Sequence, residues 1–496
     1  MKTIGIDIGS SSVKVSVLDT GNGTCQGWAL SPENEMEISS PMPGWAEQSP
    51  LMWWDNVIKA VRKAVALAGS KHDQIKAIGI TYQMHGLVCL DKFGKPVRPS
   101  IIWCDSRAVE TGALAFEEIG KEKCLSHLLN SPGNFTASKL AWVKVIEQEL
   151  YEQTDKAMLP GDYIAYRLTG EINTTQSGLS EGIFWDFKED KVAGFLLDYY
   201  NLTAKMLPSI VPSFGIQGEL SKNAATELGL KAGIPISFRA GDQPTNAFSL
   251  NVMKPRQVAA SAGTSGVVYE ILDQLKPDPN PRINLFAHLN HTNNQPRIGA
   301  LLCINGTGIL YSWLKSVTSQ TNFDDMNRLS SQVSPGSDGL TILPFGNGAE
   351  RMLDNQIIGG QIIDLDFVVH SKAHLYRAAQ EGIAFAFNYG MNMMRELGDK
   401  PSIIRAGETD MFLSPLFCKT LASITGTSIE LFNTDNSLGA ARGAALGAGI
   451  YSSLSDCFRN LLKTRRIDPD LTIQDEVAEA YEKWLKALQS TFCIQK

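Results

Sequence analysis

Two short segments hold residue types suited to moving a group onto a hydroxyl. In FRAGDQPTNAF, Asp242 follows the apolar run GIPISFRA and a Gly. That spacing places it at the carboxyl end of a strand, where open α/β sheets keep their active groups. A carboxylate there can accept a proton from a substrate hydroxyl. Taken alone, an Asp after Gly is more often a turn or helix-cap residue. Residues 82–86, YQMHG, interrupt two apolar strands. A polyol pocket would use Gln83 and His85 as hydrogen-bonding groups and Met84 as cover for a carbon face. A lone His is more often a satisfied core residue in a strand-ending turn.

A repeat supplies the context that favours chemistry. Residues 3–19 read TIGIDIGSSSVKVSVLD, and residues 257–273 read QVAASAGTSGVVYEILD. Sliding one by 254 positions places Gly9 on Gly263, Ser10 on Thr264, Ser11 on Ser265 and Leu18-Asp19 on Leu272-Asp273. Each copy predicts a strand, a tight turn of small polar residues around Gly, and a second strand. Gly and short hydroxyl residues let successive backbone N–H groups point into one concavity that takes an anion. Two such hairpins could grip a polyphosphate from both sides. Asp7 in the first copy corresponds to Ser261 in the second. A carboxylate beside phosphate is repulsive unless a cation or water lies between, so Asp7 suggests Mg²⁺.

Two α/β halves would position these groups. In the first, residues 77–91 predict a buried strand, a polar turn and another strand. Ser49-Pro50 predicts a helix start, with a hydroxyl cap and Pro at the first helical position. In the second, IGALLCING (298–306) predicts a buried strand entering a Gly-rich turn, and 309–317 has helical spacing. Residues 373–394 predict a long apolar helix, and 435–454 a helix of small residues that permits close packing. The last forty residues read as helices with a polar face. The boundary falls near 244–256, giving domains 1–246 and 247–496.

Composition bounds the function classes. The 496 residues, at about 150 per domain, suggest roughly three domains. A net charge of −7 and no basic tract argue against nucleic acid as partner. No apolar window is long enough for a membrane span, and the N-terminus does not read as a signal peptide. The eight Cys are scattered with no C-x-x-C, as in a reduced cytoplasmic chain. Gly178-Leu-Ser180-Glu-Gly182 fits G-x-S-x-G but lacks the strand-turn-helix context of a nucleophile elbow. His370 and His374 lack the intervening Glu of a zinc-protease helix and are expected on a solvated face. The segments Phe184-Trp185 and Tyr199-Tyr200 could be core or the interface of a homodimer.

Together the motifs resemble the FGGY carbohydrate kinases, within the superfamily of actin, hexokinase and heat-shock chaperone ATPases. The resemblance rests on ordered strings: IGIDIGSSSVKV at the start, GWAEQSPLMWW at 44–54, GITYQMHGLVCLD with RPSIIWCDSR at 79–107, and LPGDYIAYRLTGE at 159–171. AGDQ at 240–243, SAGTSGVVY at 261–269 and LPFGNGAER at 343–351 complete it. It implies an α/β fold of two duplicated ribonuclease-H-like domains with a cleft between them. ATP and Mg²⁺ would bind in the cleft, with the sugar held mainly by the first domain. By that resemblance Asp242 is the general base and, with Gln83, Met84 and His85, contacts the sugar. Gly9, Ser10, Ser11 and Ser12 match one phosphate loop, and Gly263, Thr264 and Ser265 the other. Gly306 and Gly407 fall with the ATP-binding positions. Asp7 matches the metal-associated carboxylate, with Asp242 also beside the metal, directly or through water. The string Gln83-Met84-His85-Gly86 favours a ketopentose such as D-xylulose, phosphorylated at O5. Another sugar or a sugar acid such as gluconate is the alternative substrate. A non-catalytic nucleotide-dependent clamp is the alternative from another class.

Three positions depart from the family pattern. The adenine-side G-G-G-A reads Arg405-Ala406-Gly407-Glu408-Thr409, leaving only Gly407. L-W-N-D-x-R reads Ile102-Trp103-Cys104-Asp105-Ser106-Arg107, losing the Asn amide. G-E-R-T-P becomes Ala349-Glu350-Arg351-Met352.

Overall fold

A computed structural model describes residues 1–70, 72–398 and 400–494. The first sheet is built from β1 (Lys2–Ile8), β2 (Val13–Asp19), β3 (Cys25–Ser31), β4 (Ile75–Tyr82), β5 (Phe214–Glu219) and β6 (Pro235–Gly241). Their order is β5-β6-β4-β1-β2-β3. The second sheet contains β7 (Gln257–Ala262), β8 (Gly266–Leu272), β9 (Asn284–Ala287), β10 (Ile298–Ile304), β11 (Ile403–Gly407), β12 (Ile429–Phe432) and β13 (Lys463–Ile467). Its order is β9-β10-β8-β7-β11-β12-β13.

The repeat read from sequence is a repeat of topology. In each sheet an antiparallel hairpin (β1–β2, β7–β8) is flanked on one side by an antiparallel strand, β3 or β10. On the other side lie two parallel strands, β4 and β6 or β11 and β12. These are two ribonuclease-H-like cores, so the length prior of three domains resolves to two larger ones. Parallel strands buried on both faces need continuous apolar runs, and β4 is buried at all but one position.

Helix α1 (Pro50–Leu67) covers β2 and β3 with Trp53, Trp54, Val57, Ala60, Val61 and Ala64. Pro50 occupies the first turn as expected, but the Ser49 hydroxyl makes no capping bond; the fixed φ of proline starts this helix. The remaining helices that position the site are α2 (Gln176–Glu181), α3 (Asp242–Ser249), α4 (Gly308–Val317), α5 (Lys372–Arg395), α6 (Asn436–Gly447) and α7 (Gln474–Ile494).

Helix α6 belongs to the second half by sequence yet packs on β1, β4 and β6 of the first sheet. Its small residues are matched by glycines: a methyl at Gly5 or Gly79 would overlap the carbonyl oxygen of Ser437 or Ala440. Polar contacts fix the register, with Thr3 Oγ1 donating to Ala441 O at 2.8 Å and Ser16 Oγ meeting Ser437 Oγ at 2.7 Å. The halves also join at β9, where Asn130 exchanges two hydrogen bonds with Leu285.

The final residues are not all helical. Lys463–Ile467 forms the edge strand β13, paired antiparallel with β12. Its charges are paired: Lys463 and Arg466 reach Glu430 on β12, and Arg465 reaches Glu408, the residue after β11. Charged side chains also protect a sheet edge, and they hid the strand behind a polar composition. Helix α6 ends at Gly447, short of the expected 454. Phe184 and Trp185 are core residues, which removes that segment as an interface. Among the described residues no helix is long and apolar enough to cross a membrane.

Candidate functional site

Sheet register gathers the candidates. Ile8 pairs with Tyr82, and Tyr82 with Gly241. The carboxyl ends of β1, β4 and β6 therefore stand side by side. Beyond them follow the Gly9–Ser12 turn, the Gln83–Gly86 loop and Asp242, the first residue of α3. Three segments far apart in sequence meet along one sheet edge.

Both turns keep free donors. The Gly9 N–H closes its turn onto Ser12 O at 3.0 Å. Among the described residues the N–H groups of Ser10, Ser11 and Ser12 donate to no protein group, and neither do those of Gly263, Thr264 and Ser265. Their carbonyls are held from behind. Gln48 Nε2 donates to Ser10 O at 2.6 Å, and the Gly308 N–H to Gly263 O at 2.9 Å. A turn whose carbonyls are tied back and whose N–H groups are free suits an anion.

Asp7 and Asp242 are both perturbed. Burial pushes the Asp7 carboxyl up to about 8, helped by repulsion from Asp242 and Asp435 and opposed by Lys14. Burial pushes Asp242 up to about 6 against hydrogen bonds from Gln243. Sequence reasoning missed Lys14 and Asp435. Lys14 is the cross-strand neighbour of Asp7 and pairs with Asp435, the N-cap of α6, at 2.8 Å. Burial alone would raise Asp435, but Lys14 holds it below the usual carboxylate range. Lys14 was legible only as one polar residue in an alternating strand.

The loop after β4 is braced from below. Gln83 is buried, and its amide donates to Gln48 Oε1 at 3.1 Å. It therefore ties this loop to the Gly9–Ser12 turn, while its Oε1 has no hydrogen-bond partner among the described residues. Met84 packs over Gly241, where an added methyl would lie 2.6 Å from its Cγ and 2.5 Å from Glu181 Oε2. His85 has a left-handed backbone (φ 61°), and its ring rests on Phe135 and Phe286. Burial, with Lys139 as a nearby charge, drives its pKa down to about 3. Nδ1 meets Glu181 O at 2.9 Å; since a carbonyl only accepts, Nδ1 carries the proton and Nε2 is an acceptor. Glu181, fully buried at the end of α2, is raised far above the usual range by burial and by Asp242. The Ser180 hydroxyl inside the G-x-S-x-G string accepts the Ala287 N–H at 2.8 Å and lies in the last turn of α2, not on a strand-to-helix turn.

Lys139 holds two of the family strings together. Its ammonium donates to His85 O at 2.9 Å and to Ile102 O at 3.0 Å, and burial lowers its pKa to about 7. Lys139→Met strands both carbonyls, an expected loss of about 2 kcal/mol. A lower thermal midpoint together with weaker sugar binding would show the double role; an unchanged midpoint would refute it. Where the Asn amide is lost, Cys104 is exposed. Its neighbour Asp105 accepts the Ala46 N–H at 2.6 Å, and Arg107 stacks on Trp45 at 3.8 Å.

The second half offers a cavity of about 300 Å³ beside its hairpin, lined by Gly263, Thr264, Gly308, Tyr311, Phe323, Asn327, Asp410 and Ser414. Gly306 lies outside it: a methyl there would overlap Pro344 O, so its smallness serves packing. Gly308, two residues on, lines the cavity. Gly407 ends β11 and is not among the lining residues. Glu408 is turned away and paired with Arg465 at 2.6 Å. The carboxylates that do line the cavity are Asp324 and Asp410. His370 and His374 contact Asp338 and are each only partly exposed.

Two ribonuclease-H-like cores, a phosphate-type turn on each and a perturbed carboxylate at the edge between them define a phosphotransferase of the duplicated type. The comparisons agree. The FGGY family of carbohydrate kinases matches by its N-terminal domain over residues 2–249 and by its C-terminal domain over 258–451. The chain belongs to this family and is a carbohydrate kinase, which sets the clamp alternative aside. It is 28% identical over 91% of its length to the xylulose kinase of Escherichia coli (strain K12), covering 90% of that protein. The L-xylulose/3-keto-L-gulonate kinase of the same organism is 27% identical over 97% of this chain and 95% of its own. The crystal structure of xylulose kinase from Rhodospirillum rubrum superposes with a TM-score of 0.86 at 26% identity, covering 99% of each chain.

Proposed function

We propose that this kinase transfers the γ-phosphoryl group of ATP to the terminal hydroxyl of an open-chain ketopentose, D-xylulose at O5 first among them. The observation that carries the reading is the placement of Asp242 at the edge shared by the Gly9–Ser12 turn and the Met84-His85 loop. Similarity to xylulose kinases supports the sugar; similarity to a kinase of another keto-sugar at nearly the same identity keeps the choice experimental.

Asp242 orients the acceptor hydroxyl and takes its proton as the O–P bond forms. His85 Nε2 accepts a hydrogen bond from a sugar hydroxyl, and Met84 covers a carbon face. The free N–H groups of the two turns bind phosphate oxygens, and the cavity with Phe323 and Asn327 takes the nucleoside. Asp7 and Asp242 repel each other, as expected of carboxylates that share a cation. Among the described residues no cluster of three or more His, Cys, Asp or Glu could cage a metal alone. Mg²⁺ binds through one or two carboxylates and keeps waters and substrate phosphates, and Asp7 and Asp242 are the carboxylates that would hold it. When bound it would neutralise phosphate charge beside Asp7 and Asp242.

ADP release coupled to NADH oxidation, measured across pentuloses, polyols and sugar acids including gluconate, tests the assignment. Turnover with D-xylulose highest in kcat/KM supports it, and no sugar-dependent ADP removes it. The acid limb gives a further check. A base that must be ionised loses activity on protonation, so kcat/KM for the sugar should fall as pH drops through about 6. A flat profile from pH 5 to pH 8 would argue against Asp242 as the base.

A further inference from the structure

We propose that Arg351, from the second half of the chain, enters the sugar pocket and binds an acceptor oxygen that carries full or partial negative charge. The inference rests on the sugar-kinase reading and adds a contact from the lobe opposite Asp242.

Arg351 opens a short 3₁₀ turn, Arg351–Leu353. Its Nε donates to Pro281 O at 3.0 Å, and among the described residues it forms no ion pair. The carboxylate in its surroundings, Asp278, is already engaged by Arg282 at 3.1 Å. The guanidinium lies 5.8 Å from the Phe135 ring, the same ring that supports His85. Its charge is one of those felt by the His85 imidazole. Cys303, exposed at the end of β10, feels both Asp242 and Arg351. Arg351 is thus a partly exposed cation with no ion-pair partner among the described residues, set against the same Phe135 ring that supports His85.

A guanidinium partly screened from water is costly unless its donors are used. The two Nη groups remain available, and their planar fork suits oxygen acceptors such as a ketose carbonyl or a carboxylate. The residue is also pre-positioned. Its neighbour Glu350 is fully buried and accepts the Asn305 N–H at 3.0 Å, anchoring the turn to the segment between β10 and α4.

Arg351→Met and Arg351→Lys test the role, with acceptor binding followed by calorimetry in the absence of nucleotide and turnover by ADP release. Loss of a charge-assisted bond should weaken acceptor binding by ~10-fold or more in Arg351→Met. KM for ATP and the thermal midpoint should stay near those of the unaltered protein. Arg351→Lys should recover part of the loss. D-xylulose and gluconate separate the two oxygen sources: a larger effect on gluconate identifies a carboxylate contact, and a larger effect on D-xylulose the ketose end. Unchanged binding of both overturns the proposal, as does a fall in kcat with acceptor binding intact, which would put Arg351 on the transferring phosphoryl group. Failure of the unaltered protein to bind or turn over any sugar removes the sugar-kinase reading and this contact with it. Sugar turnover with unchanged binding in Arg351→Met removes this contact alone.

Discussion

Asp242→Asn is expected to bind the acceptor sugar almost as the unaltered protein does and to lose at least ~10² in kcat, the low end for removal of a general base. The amide is nearly isosteric and keeps a hydrogen-bonding oxygen toward the substrate. It cannot take a proton. The position at the head of α3 does not depend on charge, because Gly241 fixes the entry through its close approach to Met84 and Glu181. One electrostatic side effect should appear. Asp242 is the leading charge that raises Asp7, so the Asp7 carboxyl should ionise at lower pH in the variant. Calorimetric sugar binding with single-turnover ADP release separates the two roles. A kcat within about threefold of the unaltered enzyme would remove the assignment.

The second large effect concerns stability. Gly5→Ala should cost about 3 kcal/mol, the upper part of the range for overpacking. The added methyl meets a backbone carbonyl of α6, which no rotamer change can relieve. The helix cannot easily retreat, since Thr3, Ser16 and Lys14 each hold its first turns. Gly194→Ala is the control: nothing lies within 4 Å of a methyl there. Comparable thermal midpoints for the two variants would show that α6 is looser on the sheet than its contacts indicate. A retreat of α6 would also drag Asp435 from Lys14, so lost activity in surviving Gly5→Ala protein is a second expected sign.

Local chemistry made much of this legible from residues alone. A Gly-Ser turn between β-branched runs announces a hairpin, and its recurrence announced the duplication. Asp242 could be placed because an apolar run and a Gly precede it. Non-local partnerships were hidden. Nothing in NSLGAARGAALG says that its small face lies on a sheet from the other half. Lys14 gains meaning only when Asp435 arrives opposite it. Gly306 and Gly308 look alike in NGTG, but one is small for Pro344 and the other lines a cavity. Gln83 sits in a pocket motif yet spends its amide on Gln48. Arg351 stood out only as the retained part of an altered motif; the fold brings it beside His85.

The docking of α6 on the first sheet also bears on how the chain is made. Domains emerging from a ribosome tend to fold in order, first half first. Here β1, β4 and β6 are synthesised long before the helix that covers one of their faces. Until then an apolar surface with glycines at Gly5 and Gly79 stays open on the nascent chain. The first half keeps this face uncovered until Asn436–Gly447 of the second has been made.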